Sequence, residues 1–537
     1  MTGVVARAGA VGGGRGAGHP PTGSRWDHLW AVVPFLAVSV LTFHYSPDDA
    51  LITARYARNV LSGAGLAFNA GVPVEGFSSP LHLALTVGSA LLPGGVVLLK
   101  MKLMSIVFGV LTCVASVRLV RAVGVPHWAQ VVALVAVGAS WPLAVSATNG
   151  LETSLVAFLT TLLVALLVGG GGERRPGTTA ALATALALAR PESIGMVLVL
   201  ALAAAVPGGA GAGRRSAWVL APLLAVAATT ALRLAHFGAL LPNTYYAKEE
   251  GLLEGLASGA RYIRKSQPVW DVLGRPGADA SLLVLAALVG VGTVVAWRRR
   301  HLVPLPAVVL FQGAFVLRSG GDWMRGARFL APVIPSITVL VVVGLVAVVG
   351  GSVARGRWAP AGLLVAVVLA VTCWPVTSAW SPVWRAGGVD DRTLIENGNS
   401  DFDGAFSRLW ATAPDQVACL GPGQSAAFSE MGHFGFALPH LQIVDVRGLT
   451  DAELARTADA EVRNFYGIVD ERWFEPASSV GRVLLERRPE MILSIDSDPQ
   501  VAPLGGAYRL VRSIEWGWNN PLSVYERADF SCGPAPS

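Results

Sequence analysis

Apolar runs long enough to cross a lipid bilayer recur along much of this chain, and nothing else in the sequence limits its fold so tightly. A spanning helix needs roughly 20 apolar residues, and backbone polar groups in lipid must be satisfied within the segment, so runs of this length are helices. They cover 27–45, 103–121, 126–147, 150–169, 178–190, 191–206, 216–236, 280–297, 302–317, 330–350 and 358–380. The pair between 178 and 206 is short and broken at Arg190, Pro191 and Glu192, while 80–94 is too short to cross and reads as re-entrant. Composition agrees: 53% of the 537 residues are hydrophobic and 14% charged, against roughly a quarter charged in a soluble domain, and mean hydropathy is +0.54. The expectation is an α-helical polytopic membrane protein with about 11 transmembrane helices.

Charge orients it. Net charge is +6 and Arg far outnumbers Lys; in a membrane protein this marks cytoplasmic loops rather than a nucleic-acid surface, so no nucleic-acid partner is expected. Arg174 with Arg175, Arg214 with Arg215, Arg298 to Arg300, and Arg355 with Arg357 all fall inside if the N-terminus is inside. Residues 46–80, 237–279, 318–329 and everything after about 381 then lie outside. Residues 1–26 read as a disordered cytoplasmic tail, Gly- and Arg-rich from Met1 to Gly23. The first apolar run lacks a small-residue cleavage site and reads as an anchor.

Residues 27–384 thus form the membrane domain, and 385–537 a separate extracytoplasmic α/β domain of ordinary domain size. In the latter, "QVACLGP", "LQIVDVRGL", "EMILSID" and "AYRLVRS" read as strands, and "TDAELARTADAEVRN" as a helix opened by Thr450. Cys113 and Cys373 sit in apolar runs as packing residues; Cys419 and Cys532 lie in the polar region and can pair if it is outside the cytoplasm.

The outer loops hold the unusual polar residues. In "HYSPDDALITARYARNV" helix starting accounts for Ser46 as N-cap, Pro47 at the first position and Asp48 and Asp49 at the positive helix end. The following helix is amphipathic, with Asp48, Leu51, Arg55, Arg58, Asn59 and Ser62 near one face, and is expected along the outer membrane surface. A carboxylate can deprotonate a hydroxyl and arginine can grip a phosphate, so this face suits a phosphate-bearing substrate at a lipid–water boundary. "GLAFNAGVPVEGFSSPLH" is a turn-rich loop leading into an apolar segment, "LPNTYYAK" brings two interfacial tyrosines and a rare lysine, and "RSGGDWMRGARFLAP" carries outer-face arginines against the inside bias. The candidate donor-phosphate ligands are Arg55, Arg58, Lys248, Arg325 and Arg328. The candidate substrate-binding residues are Asn59, Asn69, Glu75, Ser78, His82, Asn243, Tyr245, Tyr246, Asp322 and Trp323.

Taken in order, "SPDDALITARYARNVLSGAGLAFNAGVPVEGFSSPLH", "LPNTYYAK", "GGDWMRGARFLAP" and "VDVRGLTDAELAR" resemble motifs of the GT-C glycosyltransferases of actinobacterial cell-wall synthesis, most of all the terminal β-(1→2)-arabinofuranosyltransferase family. The resemblance runs from about residue 27 to about 460. It implies the GT-C fold, a polyprenyl-phosphate-linked sugar donor within the membrane lipid, a glycan acceptor such as arabinan, and action at the outer face of the plasma membrane. It places the catalytic carboxylate on Asp48 or Asp49, and the helical spacing favours Asp48, on the face of Arg55, with Asp49 supporting it. The carboxylates act as a base alone or as a base beside a divalent cation; no other cofactor is implied. Relatives with similar first loops use mannose, galactose or other sugars, and the chain looks shorter than the arabinofuranosyltransferases in its C-terminal domain. A flippase would cluster its charges near the midplane, whereas these cluster in outer loops. A non-catalytic assembly factor would tolerate loss of Asp48 and Asp49.

Overall fold

The computed structural model describes residues 24–94, 96–206, 217–248, 251–266, 270–322, 324, 326–354, 362, 409, 411–457, 475–495, 503–516 and 521–532. Met1 to Gly23, Arg214, Arg215, Trp323, Arg325, Arg355, Arg357, and 358–408 apart from Gly362 lie outside the described residues, and the expected last span and the expected domain boundary fall there.

The membrane portion comprises α1 (Leu29–Thr42), α2 (Asp48–Leu61), α3 (Pro80–Ala90), α4 (Val97–Val123), α5 (His127–Gly138), α6 (Trp141–Thr148), α7 (Thr153–Val168), α8 (Gly171–Arg174), α9 (Pro176–Ala189), α10 (Ser193–Ala205), α11 (Leu220–Phe237), α12 (Asn243–Ala247), α13 (Leu252–Lys265), α14 (Trp270–Arg298), α15 (Pro304–Arg318) and α16 (Ile334–Ala354). Among the described residues, 5 helical segments are long and apolar enough to cross a membrane, or 6 if α5 and α6, bent by 42°, count as one. The bend has a local cause: Pro142, near the start of α6, has no N–H to continue the ladder of α5. Helices α1, α7, α9 and α10 are apolar but shorter. Each of these helices coincides with an expected run. The 11-residue α3 lies within 80–94 and is too short to span.

Lipid gives helices little hydrophobic reason to associate, so close backbone approach carries the packing. The pair α14 and α16 shows it: a Cβ on Gly292 would stand 2.1 Å from the Leu340 carbonyl oxygen, and one on Gly344 would stand 2.1 Å from that of Leu288. Phe35, Leu134, Leu163, Leu186, Leu200 and Val342 belong to the apolar core shared by the membrane helices.

The C-terminal unit runs β1 (Ser425–Phe428), α17 (Met431–Ala437), β2 (Gln442–Asp445), α18 (Ala452–Thr457), α19 (Ser479–Arg487), β3 (Met491–Ile495), β4 (Tyr508–Ile514) and β5 (Leu522–Arg527). Its sheet has the order β2-β1-β3-β5-β4, with β1 parallel to β2 and β3 and the other pairs antiparallel. A disulfide joins Cys419 to Cys532 and ties the segment before β1 to the one after β5.

Three of the expected strands fall where β2, β3 and β4 form, whereas "QVACLGP" does not form one: Pro414–Val417 is a 3-10 turn and the strand begins at Ser425. The turn through Gly421, Pro422 and Gly423, with Gly423 at φ +85, intervenes. Asp451 caps α18 by accepting from the Glu453 and Leu454 amides at 3.1 Å each; Thr450, expected in that place, is held by Asp445 instead. One apolar cluster spans both units: Leu51, Ile52, Tyr56 and Phe68 pack with Phe428, Phe434, Leu493 and Trp516. The α/β unit is thereby seated directly on α2.

Candidate active site

Helix α2 begins where Pro47, in extended backbone, hands over to Asp48. Its polar face does not lie open at a membrane surface as the periodicity suggests; α17 of the C-terminal unit covers it. The Asp48 carboxylate accepts the Gly432 amide at 2.8 Å and the His433 amide at 2.6 Å. Arg55 donates to the carbonyls of Phe68 (2.8 Å), Gly435 (2.5 Å) and Leu441 (2.9 Å). Arg58 donates to the Phe436 carbonyl at 2.8 Å. The two helices therefore run parallel, with the acid at the amino end of α17 and the arginines at its carboxyl end, each matched to the backbone groups a helix end leaves over.

Neighbouring residues finish this junction. Asn69 accepts from the Ile443 amide at 3.0 Å and donates to the Ile443 carbonyl at 2.8 Å, so its amide extends the sheet at the edge of β2. Asn243 donates to the carbonyls of Gly448, Leu449 and Asp451, and its own amide donates to the Glu75 carbonyl. Asn59 donates to the carbonyls of Ala67 and Phe68, shaping the loop after α2. Glu75 is ion-paired with Arg233, and burial, ahead of the opposing pull of Arg233, raises its pKa. Tyr246 lies beneath Arg456, whose guanidinium carbon is 5.1 Å from the ring centre.

These contacts correct several sequence expectations. Arg55, 1% exposed, spends its donors on three carbonyls and on Asn69, and Arg58 is turned to the Phe436 carbonyl, so neither is placed to grip a donor phosphate. Asn59, Asn69 and Asn243 serve backbone groups, and Glu75 serves a buried ion pair. Burial first, then the Glu430 charge, push the Asp48 pKa well above the ordinary carboxylate range, against the opposing amides. That would suit a base, but Asp48 is 3% exposed and both its oxygens are engaged. Arg55 shows the cost of its position: burial, with Arg58 adding repulsion, draws its pKa down to about 9.

Asp49 faces elsewhere, as the turn of roughly 100° per residue requires. Its carboxylate stands 3.8 Å from Lys248 Nζ and 3.8 Å from the Arg328 guanidinium. Lys248 follows the short α12, and Arg328 sits in the 319–330 loop. Arg328 is also ion-paired with Asp322. Burial works against its charge, but Asp322, then Asp49 and Glu152, outweigh it and hold its pKa above the ordinary guanidinium value. The loop is pinned by Gln312, which donates to the Phe329 carbonyl at 2.6 Å, and by Tyr262, whose hydroxyl accepts the Phe329 amide. It passes through positive φ at Gly320, Gly321, Gly326 and Ala327; Ala327 alone of these carries a Cβ, and its strain fits a site held by its surroundings.

Behind Arg328 lies a second charged group. Arg190 is paired with Glu152 at 2.6 Å and also with Glu192. Phe329 lies between Arg190 and Arg328, with their guanidinium carbons 5.1 and 5.2 Å from its ring centre. His82 is 1% exposed, both its ring nitrogens are without a hydrogen-bond partner among the described residues, and it interacts electrostatically with Glu152. Sequence reasoning passed over Glu152 and Arg233, and read Arg190 and Glu192 only as a break. The usable signal was a lone acid, Glu152, near the start of the apolar run 150–169. Ser78 is half-buried and Tyr245 is exposed at an edge-to-face contact with Tyr246. Among the described residues no group of three or more His, Cys, Asp or Glu is placed to hold a metal ion.

A carboxylate between two cations, beside membrane helices and under a second domain, can take a proton while its neighbours hold an anion. The fold has solved counterparts. ArnT from Cupriavidus metallidurans, bound to undecaprenyl phosphate, matches 95% of this chain and 99% of its own with a TM-score of 0.54 at 15% identity. An Archaeoglobus fulgidus oligosaccharyltransferase tethered to an acceptor peptide matches 88% of this chain and 69% of its own with a TM-score of 0.52 at 10% identity. At such identities the likeness is one of fold, and it agrees with the apolar helices long enough to cross a membrane. In sequence it is similar to the terminal β-(1→2)-arabinofuranosyltransferase of Mycobacterium tuberculosis, at 28% identity over 417 residues. That match takes in 69% of this chain and spans 64% of the relative's length. No family model matches the chain.

Proposed function

We propose that this protein is a membrane glycosyltransferase that moves a sugar from a polyprenyl-phosphate donor to a hydroxyl of a cell-envelope glycan. The observation that carries the reading is the placement of Asp49 between Lys248 and Arg328 at the start of the first loop helix. In the reaction the acceptor hydroxyl gives its proton to Asp49 as its oxygen bonds to the anomeric carbon. The bond from that carbon to the phosphate oxygen breaks, and the lipid phosphate leaves with the electron pair. Lys248 and Arg328 hold the charge that develops on it; oriented cations in a site of low dielectric are worth more than in water.

The lipid-linked donor is supported by fold relatives, one bound to undecaprenyl phosphate and another in complex with a dolichol-phosphate. Arabinofuranose as the sugar, and arabinan as the acceptor, are supported by the sequence relative. Action at the outer face of the plasma membrane is supported by the cationic clusters assigned inside and by the disulfide in the α/β unit, since disulfides persist in oxidising compartments.

The test is to incubate the purified protein with a panel of labelled polyprenyl-phosphosugars and a synthetic arabinan acceptor. Transfer from the arabinofuranosyl donor is expected, slowed about 100- to 10,000-fold in Asp49→Asn. Transfer only from a mannosyl or other donor would keep the enzyme and replace the sugar. No transfer from any donor would refute the reading.

A further inference from the structure

We infer that Asp48 is a positioning residue rather than the reacting carboxylate: by binding the Gly432 and His433 amides it fixes the start of α2, and so aims Asp49, making the C-terminal domain part of the active site. This deepens the function proposed above and rests on it.

The geometry leaves Asp48 little other use. One carboxylate oxygen takes the Gly432 amide and the other the His433 amide, in a setting closed to solvent. The approach is so close that position 432 admits only glycine. A Cβ there would stand 2.0 Å from the Asp48 carbonyl oxygen and 2.7 Å from its carboxylate. One turn on, Gly435 is constrained the same way, since a Cβ would meet the Phe68 ring at 2.6 Å and Arg55 Nη1 at 2.7 Å. The sequence "MGHFGFA" therefore presents a bare face to α2, with Asp48 gripping one end of the segment and Arg55 and Arg58 the other.

Asp49 is the next residue on the same rigid turn. Its carboxylate meets Lys248 and Arg328 only if α2 starts at the right depth and rotation. A displacement of about 1 Å at a reacting group costs on the order of 100-fold in rate. The α/β unit thus sets catalytic geometry through two backbone N–H groups, far from Asp48 in the chain.

Two substitutions separate positioning from chemistry, and one of them touches nothing near the substrate. Asp48→Asn replaces one acceptor oxygen by an NH2 that faces a backbone N–H. Gly432→Ala leaves Asp48 in place and pushes α17 off it. In purified wild-type protein in detergent, hydrogen exchange of peptides covering 431–437 and 48–61 should be slow, and both variants should speed it. Both should lower kcat by about 100-fold with donor KM little changed, and the double variant should lose no more than either single one. Unchanged exchange and unchanged kcat in Gly432→Ala would overturn the inference. So would a loss of kcat confined to Asp48→Asn, which would return Asp48 to the chemistry. If the wild type transfers no sugar at all, the proposed function falls. The exchange arm then decides the contact by itself, with faster exchange in both variants supporting it and unchanged exchange overturning it.

Discussion

The two sides of α2 differ in the kind of partner their charges have. On one side Asp48, Arg55 and Arg58 are matched to amides and carbonyls of α17 and its neighbours. On the other, Asp49 meets the side-chain cations Lys248 and Arg328 at 3.8 Å each. Backbone partners cannot move aside for a ligand, so charges spent on them do structural work. Side-chain cations in looser contact can turn to an incoming phosphate. A polar helix face in sequence therefore does not name a substrate site; the nature of each charge's partner does.

The comparison breaks first at Arg55. Arg55→Gln would leave the Gly435 and Leu441 carbonyls short of a donor, while the Phe68 carbonyl keeps Asn59, and each buried unsatisfied group costs about 1–3 kcal/mol. A loss on the order of 3 kcal/mol is expected, read as a lower thermal midpoint of the purified protein with donor KM unaltered. A weaker donor affinity at unchanged stability would restore Arg55 to the phosphate site. The reverse pattern is expected across the helix. Lys248→Gln and Arg328→Gln should each raise donor KM about tenfold, or about 1.4 kcal/mol, with acceptor KM unmoved. The effect should be larger for Arg328, which also neutralises Asp322. Equal changes for donor and acceptor would mean these cations set general surface charge.

The sequence already carried the membrane architecture, because length and apolarity are written directly into each run. Helices such as α4 and α7 fall on the expected spans. The amphipathic face of α2 was also legible from spacing alone, including the divergence of Asp48 from Asp49. What the spacing could not say is which face meets the substrate. The partner of Asp48 lies in α17, whose contribution is backbone amides with no side-chain signature, and whose chief clue is the pair Gly432 and Gly435. Asn69 and Asn243 misled for the same reason: carboxamides serve backbone edges as readily as sugars. Strand β1 was missed because "SAAF" has small residues where β-branched ones mark a strand. The Arg190 pair with Glu152 was hidden because it joins residues of two separate helix ends.

The central claim is that Asp49, not Asp48, takes the acceptor proton, and the pH dependence of kcat/KM tests it most directly. In wild-type protein the rate should fall on the acid side as the base becomes protonated. Measured on the same donor and acceptor, Asp48→Asn should be slower yet keep that acid limb. Asp49→Asn should lose about 100- to 10,000-fold in rate, and its residual activity should no longer fall with acid. An acid limb that vanishes in Asp48→Asn and persists in Asp49→Asn would contradict the account.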